Sequence, residues 1–400
     1  MWHPSTTKLI ALAGFASSLF CETAWTAPRT LRVYHIGNSL TRGITPDRLH
    51  QLMEAAEIDY QFGAQLSGGA TLARHWSYAE HGLRLNLWET NRRQGNRWEP
   101  GPVDANREGK RFGPYDQALA QFQWDALVLQ PYGSHLCDDL PAAARFLRFA
   151  LEKKAGERFF VYATWPRRPE RRDAQGNVAG FEQIDYAALW ERPYPYTEKD
   201  PPPPSDAYRS RAYFAALVEG LNREFPQLPT PVRMIPVGEV FFQLDQRLKA
   251  GQIPGVDDLY RRNPALLPGY QPATGTRAGA NILYADGIHT NPVPHLEGTV
   301  GGYLAALTHF ALLTGQTPLG LPGKPYGLDD RADAALIGAL QQTVWDVVRH
   351  HPHAGLTQAS GRQMLPVQVS ASVHETRASG GAGDFPPEKK LDGDLTPASG

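Results

Sequence analysis

Five short apolar runs in the first 238 residues constrain the architecture more than any other feature: LRVYHIG (31–37), IDYQFGA (58–64), DALVLQ (125–130), RFFVYATW (158–165) and VRMIPVG (232–238). Their apolar, β-branched and aromatic residues are nearly continuous rather than alternating, the pattern of strands buried on both faces. Segments 46–57, 139–154, 207–224, 239–249, 293–314 and 329–350 instead carry apolar residues at three- and four-residue spacing, and several open with Pro, Asp or Ser, which predicts helices. Strands alternating with helices predict a doubly wound α/β sandwich of three layers around a parallel five-stranded sheet. Its active site is expected at the carboxyl ends of the strands.

Apolar residues make up 42% of the 400-residue chain and charged residues 20%, which is enough for a core. The 40 basic and 41 acidic residues leave a net charge of −1, so no global field draws in nucleic acid or an anionic membrane, and partners are sought in local sites. Residues 1–27 read as a cleaved signal peptide: Lys8 precedes LIALAGFASSLF (9–20), which is too short to anchor in a bilayer, and small residues follow at Ala24, Thr26 and Ala27. The mature chain is then expected to be secreted or periplasmic, with no membrane span. Cys21 raises a lipid anchor as an alternative, opposed by Phe20 where a small residue is required. Without the leader only Cys137 remains, so no intrachain disulfide can form. Two insertions, 85–115 and 165–206, are rich in Pro, Gly, Arg and aromatics and are expected as long binding loops or lids.

The motif richest in chemistry is HIGNSLT (35–41), where the first apolar run ends. A serine on a tight glycine-containing turn after a strand exposes its hydroxyl at the sheet edge beside free backbone N–H groups, which is a nucleophile's position for Ser39. The competing reading is a serine that caps the next helix. The second motif, ADGIHTN (285–291), sets Asp286 and His289 three residues apart on a turn. That spacing lets the carboxylate orient the imidazole while the other ring nitrogen takes a serine proton. Taken singly, Asp286 caps a turn and His289 is a surface histidine; taken with Ser39, they supply orienter, base and nucleophile.

Gly37-Asn38-Ser39-Leu40 and Asp286-xx-His289 resemble the first and last blocks of the SGNH/GDSL hydrolase superfamily, over about residues 31–315. The resemblance implies a flavodoxin-like sandwich with Ser39 as nucleophile, His289 as base and Asp286 as orienter. Asn38 replaces the more usual aspartate, which implies a branch with a GNS signature. The family's second block implies an oxyanion-hole glycine in LSGGATLARHW (66–76): Gly69 is the preferred donor and Gly68 the second, beside the amide of Ser39. The third block's asparagine is missing. LVLQPYGSH (127–135) puts Gln130 in its place as the third donor, with Ser134 or His75 as substitutes. The tail 366–400, with its phrase LDGDLTP, resembles the opening of a discoidin-like or galactose-binding-like β-sandwich. It is read as part of such a module or as a disordered tail, joined by a linker at 357–365 to a hydrolase domain at 29–356.

Trp165 directly follows the fourth run, and Trp190, Tyr194 and Tyr196 crowd one loop with several arginines. Aromatic faces stack on sugars and arginines hold carboxylates, although aromatics also anchor long loops. Trp165, His75 and Tyr132 are the expected substrate contacts. No cofactor or metal site is expected, since His350, His351 and His353 at a helix end complement its dipole. The chain reads as an exported serine esterase that removes small acyl groups, acetyl foremost, from a small-molecule or polysaccharide ester. An O-acyltransferase and a non-catalytic carbohydrate-binding protein on the same fold are the alternatives.

Overall fold

The computed structural model describes residues 29–44, 46–92, 98–103, 112–156, 158–182, 185–202, 208–258, 283–284, 287–290 and 300–356. The segment 1–27 read as a leader, Asp286 and the tail from 357 lie outside the described residues. Each of the five apolar runs forms a strand: β1 (Arg29–Gly37), β2 (Ile58–Leu66), β5 (Ala126–Leu129), β6 (Phe159–Ala163) and β9 (Arg233–Pro236). They pair in parallel, β1 with β2 from Arg29↔Ile58 to Gly37↔Leu66, then β1 with β5, β5 with β6 and β6 with β9. The spatial order β2-β1-β5-β6-β9 is that of a doubly wound, flavodoxin-like sheet.

Insertion 85–115 departs from the loop expected of it. Residues Asn86–Arg92 (β3) and Trp98–Val103 (β4) form an antiparallel hairpin that extends the sheet beyond β2 to seven strands. Insertion 165–206 contains a separate two-stranded hairpin, β7 (Glu170–Arg172) with β8 (Val178–Phe181), and the short helix α6 (Tyr186–Trp190).

Helices cover both faces. On one side α3 (Leu72–Trp76), α4 (Tyr115–Gln121), α5 (Leu136–Glu152) and α7 (Arg211–Glu224) pack together. On the other lie α2 (Pro46–Ala55), α8 (Val237–Lys249), α9 (Val300–Thr314) and α10 (Ala334–His350). Every residue of α9 is buried, as a helix that is apolar all round requires. Strand order reverses between β1 and β5, because the chain steps from β1 outward to β2 and returns to β5 on the other side. Such a switch point opens a crevice at the carboxyl ends of its two strands. Here those ends are Gly37 and the residue after Leu129, Gln130.

Candidate active site

From Gly37 the chain turns at once into a four-residue helix, α1 (Ser39–Arg42). Asn38 is its N-cap: the backbone is extended and Oδ1 accepts the Leu40 N–H at 2.9 Å. Ser39 therefore holds the first helical position, where its amide has no acceptor within the helix and its hydroxyl is not spent on capping. It is partly exposed between Asn38, Leu40 and Thr41, none more than 1% exposed. Space dictates Gly37, since a Cβ there would stand 2.2 Å from Thr41 Oγ1 and 2.9 Å from Gln130 Oε1.

Gln130 has no exposed surface, and its partners fix its orientation. The Asn38 N–H at 2.9 Å and the Thr41 hydroxyl at 3.3 Å converge on one amide atom, which must be the oxygen. The other atom faces the Pro131 carbonyl at 2.6 Å and must be the nitrogen. This corrects the expectation of an oxyanion donor at Gln130, because one N–H is turned onto Pro131 O and the side chain has no exposed surface from which the other could meet a substrate.

The glycine turn after β2 is tied to the same place. Ser67 N–H donates to Gly37 O at 3.1 Å, Ala70 N–H closes the turn on Ser67 O at 3.2 Å, and Asn38 Nδ2 donates to Ala70 O at 3.4 Å. Gly69 within it is exposed, has φ +63°, and has open space where a Cβ would project. Neither Gly69 N–H nor Ser39 N–H donates a backbone hydrogen bond among the described residues. His75 stands behind the turn, wholly buried, so it cannot contact a substrate as expected. Gln65 Oε1 accepts the Tyr115 N–H at 2.9 Å, which makes Gln65 Nε2 the donor to His75 Nδ1 at 3.1 Å and puts the imidazole proton on Nε2. That Nε2 lies under the influence of the Gly37 carbonyl without reaching hydrogen-bond geometry. Burial lowers the His75 pKa to about 4, against the pull of that carbonyl, so the ring is neutral.

Three contacts hold the segment that carries His289. Arg168 N–H donates to Gly287 O at 2.7 Å, Trp165 Nε1–H to Ile288 O at 2.7 Å, and the Thr290 hydroxyl to Gly43 O at 3.4 Å. The first two partners come from the loop after β6, and Gly43 is the C-cap of the helix that Ser39 opens. His289, partly exposed, thus sits on a turn strapped to the helix that Ser39 opens. The structure brings Ser39, Gly69 and the His289 turn to the carboxyl ends of the strands.

Trp165, too, departs from its expected role. Its ring is fully buried and stacked on Phe241 with centroids 4.7 Å apart, so it offers no face to a sugar and serves as a strut for the His289 turn. Trp190 is equally buried and donates to Glu239 at 2.6 Å. Tyr132 remains partly exposed, with the Arg209 guanidinium 5.1 Å from its ring centroid. Sequence reasoning missed Asn38, Thr41, Gln65 and Thr290 as braces; the buried amides at 61, 65 and 130 in otherwise apolar strands were the available signal. A cavity of about 460 Å³ lies apart from these residues, between α7, α8 and α10. It is lined by His350, His351 and His353 and by the ion pairs Arg211–Glu239 and Arg247–Asp346. Among the described residues no cluster of three or more His, Cys, Asp or Glu is arranged to hold a metal ion, and no helix is long and apolar enough to cross a membrane.

Fold and site together define an α/β sandwich with a serine turn at its switch point. No protein-family profile matches the chain, and no curated protein matches it. Among solved structures it is similar to a DUF4886 family protein from Bacteroides uniformis, at 17% identity and a TM-score of 0.47, over 80% of this chain and 95% of that one. It is also similar to a protein from Slackia heliotrinireducens provisionally assigned as an SGNH hydrolase, at 20% identity and a TM-score of 0.31, over 70% and 97% of the two chains.

Proposed function

We propose that the protein is a serine hydrolase of the SGNH type that cleaves carboxylic esters. One observation carries the reading: Asn38, not Ser39, caps α1, which leaves a partly exposed serine with its hydroxyl free of structural duty at the switch point of the sheet. In this reading Ser39 Oγ attacks the ester carbonyl while His289, oriented by Asp286, takes its proton. The amides of Ser39 and Gly69 stabilise the oxyanion, and the leaving alcohol departs with the proton from His289. Water then repeats the sequence on the acyl-enzyme and releases the acid. The acyl group is small, acetyl foremost, and the alcohol is a carbohydrate. That preference is supported by the tail's likeness to a sugar-binding module and by Tyr132 beside Arg209. Residues 1–27 serve as a cleaved export signal.

The deciding experiment is hydrolysis of short-chain nitrophenyl esters and acetylated polysaccharides by the purified protein, with Ser39→Ala as the control. Ser39→Ala is expected to lower turnover by about 10³-fold or more while the melting temperature holds. Fluorophosphonate labelling at another serine would refute the assignment.

A further inference from the structure

We propose that Gln130 is a positioning residue and that its carboxamide oxygen, rather than its N–H, is the atom that serves the site. This rests on the reading of Ser39 as nucleophile. The buried oxygen accepts the Asn38 N–H at 2.9 Å and the Thr41 hydroxyl at 3.3 Å, so it grips the chain on both sides of Ser39. Asn38 in turn accepts the Leu40 N–H at Oδ1 and donates from Nδ2 to Ala70 O, next to Gly69. One oxygen thereby fixes Asn38, and Asn38 fixes the separation of the two amides aimed at the oxyanion. Gly37 completes the arrangement, because a Cβ there would lie 2.9 Å from both Cβ and Oε1 of Gln130 and force it away. The single hydrogen bond from Nε2 to Pro131 O at 2.6 Å keeps the amide plane in place. A tetrahedral oxyanion depends on that separation more than the ground-state carbonyl does, so the clamp acts on kcat.

Gln130→Glu separates acceptor from donor. In its neutral form, which complete burial favours, the carboxylic acid offers the same acceptor and one O–H for Pro131 O, with no second hydrogen for an oxyanion. Gln130→Met keeps the length and lacks a strong acceptor. On a short nitrophenyl ester at pH 6, Gln130→Glu is expected to retain kcat within about threefold of the wild type and to lose it as pH rises and the carboxyl ionises. Gln130→Met is expected to lose about 10- to 100-fold in kcat with little change in KM. A folded Gln130→Glu, checked by its melting temperature, that is as slow at pH 6 as Gln130→Met overturns the proposal, as does a Gln130→Met with wild-type turnover. Should Gln130→Met not fold, a folded Gln130→Glu more than about tenfold slower than the wild type at pH 6 overturns it alone. Residue-resolved amide exchange gives an arm independent of activity: the Asn38 N–H is expected to exchange at least about tenfold faster in Gln130→Met and at its wild-type rate in Gln130→Glu at pH 6. Unchanged exchange in Gln130→Met overturns the clamp. A wild-type protein that cleaves no ester and takes no fluorophosphonate at Ser39 defeats the hydrolase reading instead, and the exchange arm still judges Gln130.

Discussion

Two glycines at the site are required for different physical reasons. Position 37 lacks room for a Cβ, whereas position 69 has open space but a left-handed backbone. Gly37→Ala is expected to destabilise by about 1–3 kcal/mol through overlap with Thr41 and Gln130, and to impair ester hydrolysis with it. Gly69→Ala is expected to cost about 1–2 kcal/mol of backbone strain, with no overlap to relieve. Urea unfolding of the pair, each combined with Thr41→Ala, separates the causes: removing the Thr41 hydroxyl should recover part of the Gly37→Ala loss and none of the Gly69→Ala loss. Asp286→Asn, which leaves shape intact but favours the wrong imidazole tautomer, is expected to cut kcat by about 10²–10⁴ with little change in melting temperature. Ser39 could be picked out of the sequence because a strand end, a glycine and a following helix all point to it. The place of Gln130 beside the serine turn was legible, but not the way its amide faces. An amide side chain carries donor and acceptor at opposite ends, and only the neighbours brought by folding decide which end faces the turn.

Among the elements, the five parallel strands were readable because burial on both faces makes them mostly apolar rather than alternating. The β3–β4 hairpin was not, since Pro100, Gly101 and Pro102 in β4 read as loop chemistry. Proline is tolerated there because β4 is the edge of the sheet among the described residues, where one row of N–H groups lies outside the ladder. Helices α9 and α10 carry a prediction of opposite signs. Gly301 in α9 lies against main chain, its notional Cβ 2.2 Å from the Leu283 carbonyl oxygen, whereas the same atom at Gly338 in α10 meets nothing within 4 Å. Gly301→Ala is expected to destabilise by about 1–3 kcal/mol and to disturb the segment leading to His289. Gly338→Ala is expected to stabilise by about 0.5–1 kcal/mol through helix propensity alone. Chemical denaturation of both variants checks the signs, and a stabilising Gly301→Ala would contradict the close packing of α9 on residue 283.

At the scale of the molecule, buried titratable groups shape stability against pH. Burial, helped by the nearby His309 charge, lowers His35 to about 3, and burial holds His75 and His309 at about 4. The unfolded chain protonates them near 6.5, above the folded values, so their contribution is complete above that pH and lost as pH falls toward 4. The loss runs at up to about 1.4 kcal/mol per pH unit for each histidine. Asp139 works the other way: burial raises it to about 7 despite the 2.5 Å hydrogen bond from Tyr213, so its contribution is complete below its unfolded value and lost as pH rises through 7. His351 is likewise lowered to about 4 by burial, so four histidines outweigh one carboxyl, and stability should climb from pH 4 to 6.5. Relative to the wild type, His309→Leu should gain as pH falls and Asp139→Asn should gain as pH rises from 4 to 8. Parallel denaturation curves at pH 5 and 8 test both. The straps on the His289 turn also have a consequence in time. During synthesis the serine turn and every described strand of the sheet are made by residue 236, before the turn that carries His289 and the wholly buried helix α9 that follows it. On the proposed reading, Ser39 is therefore made well before its base, and hydrolysis waits until the turn at 289 has docked on Gly43.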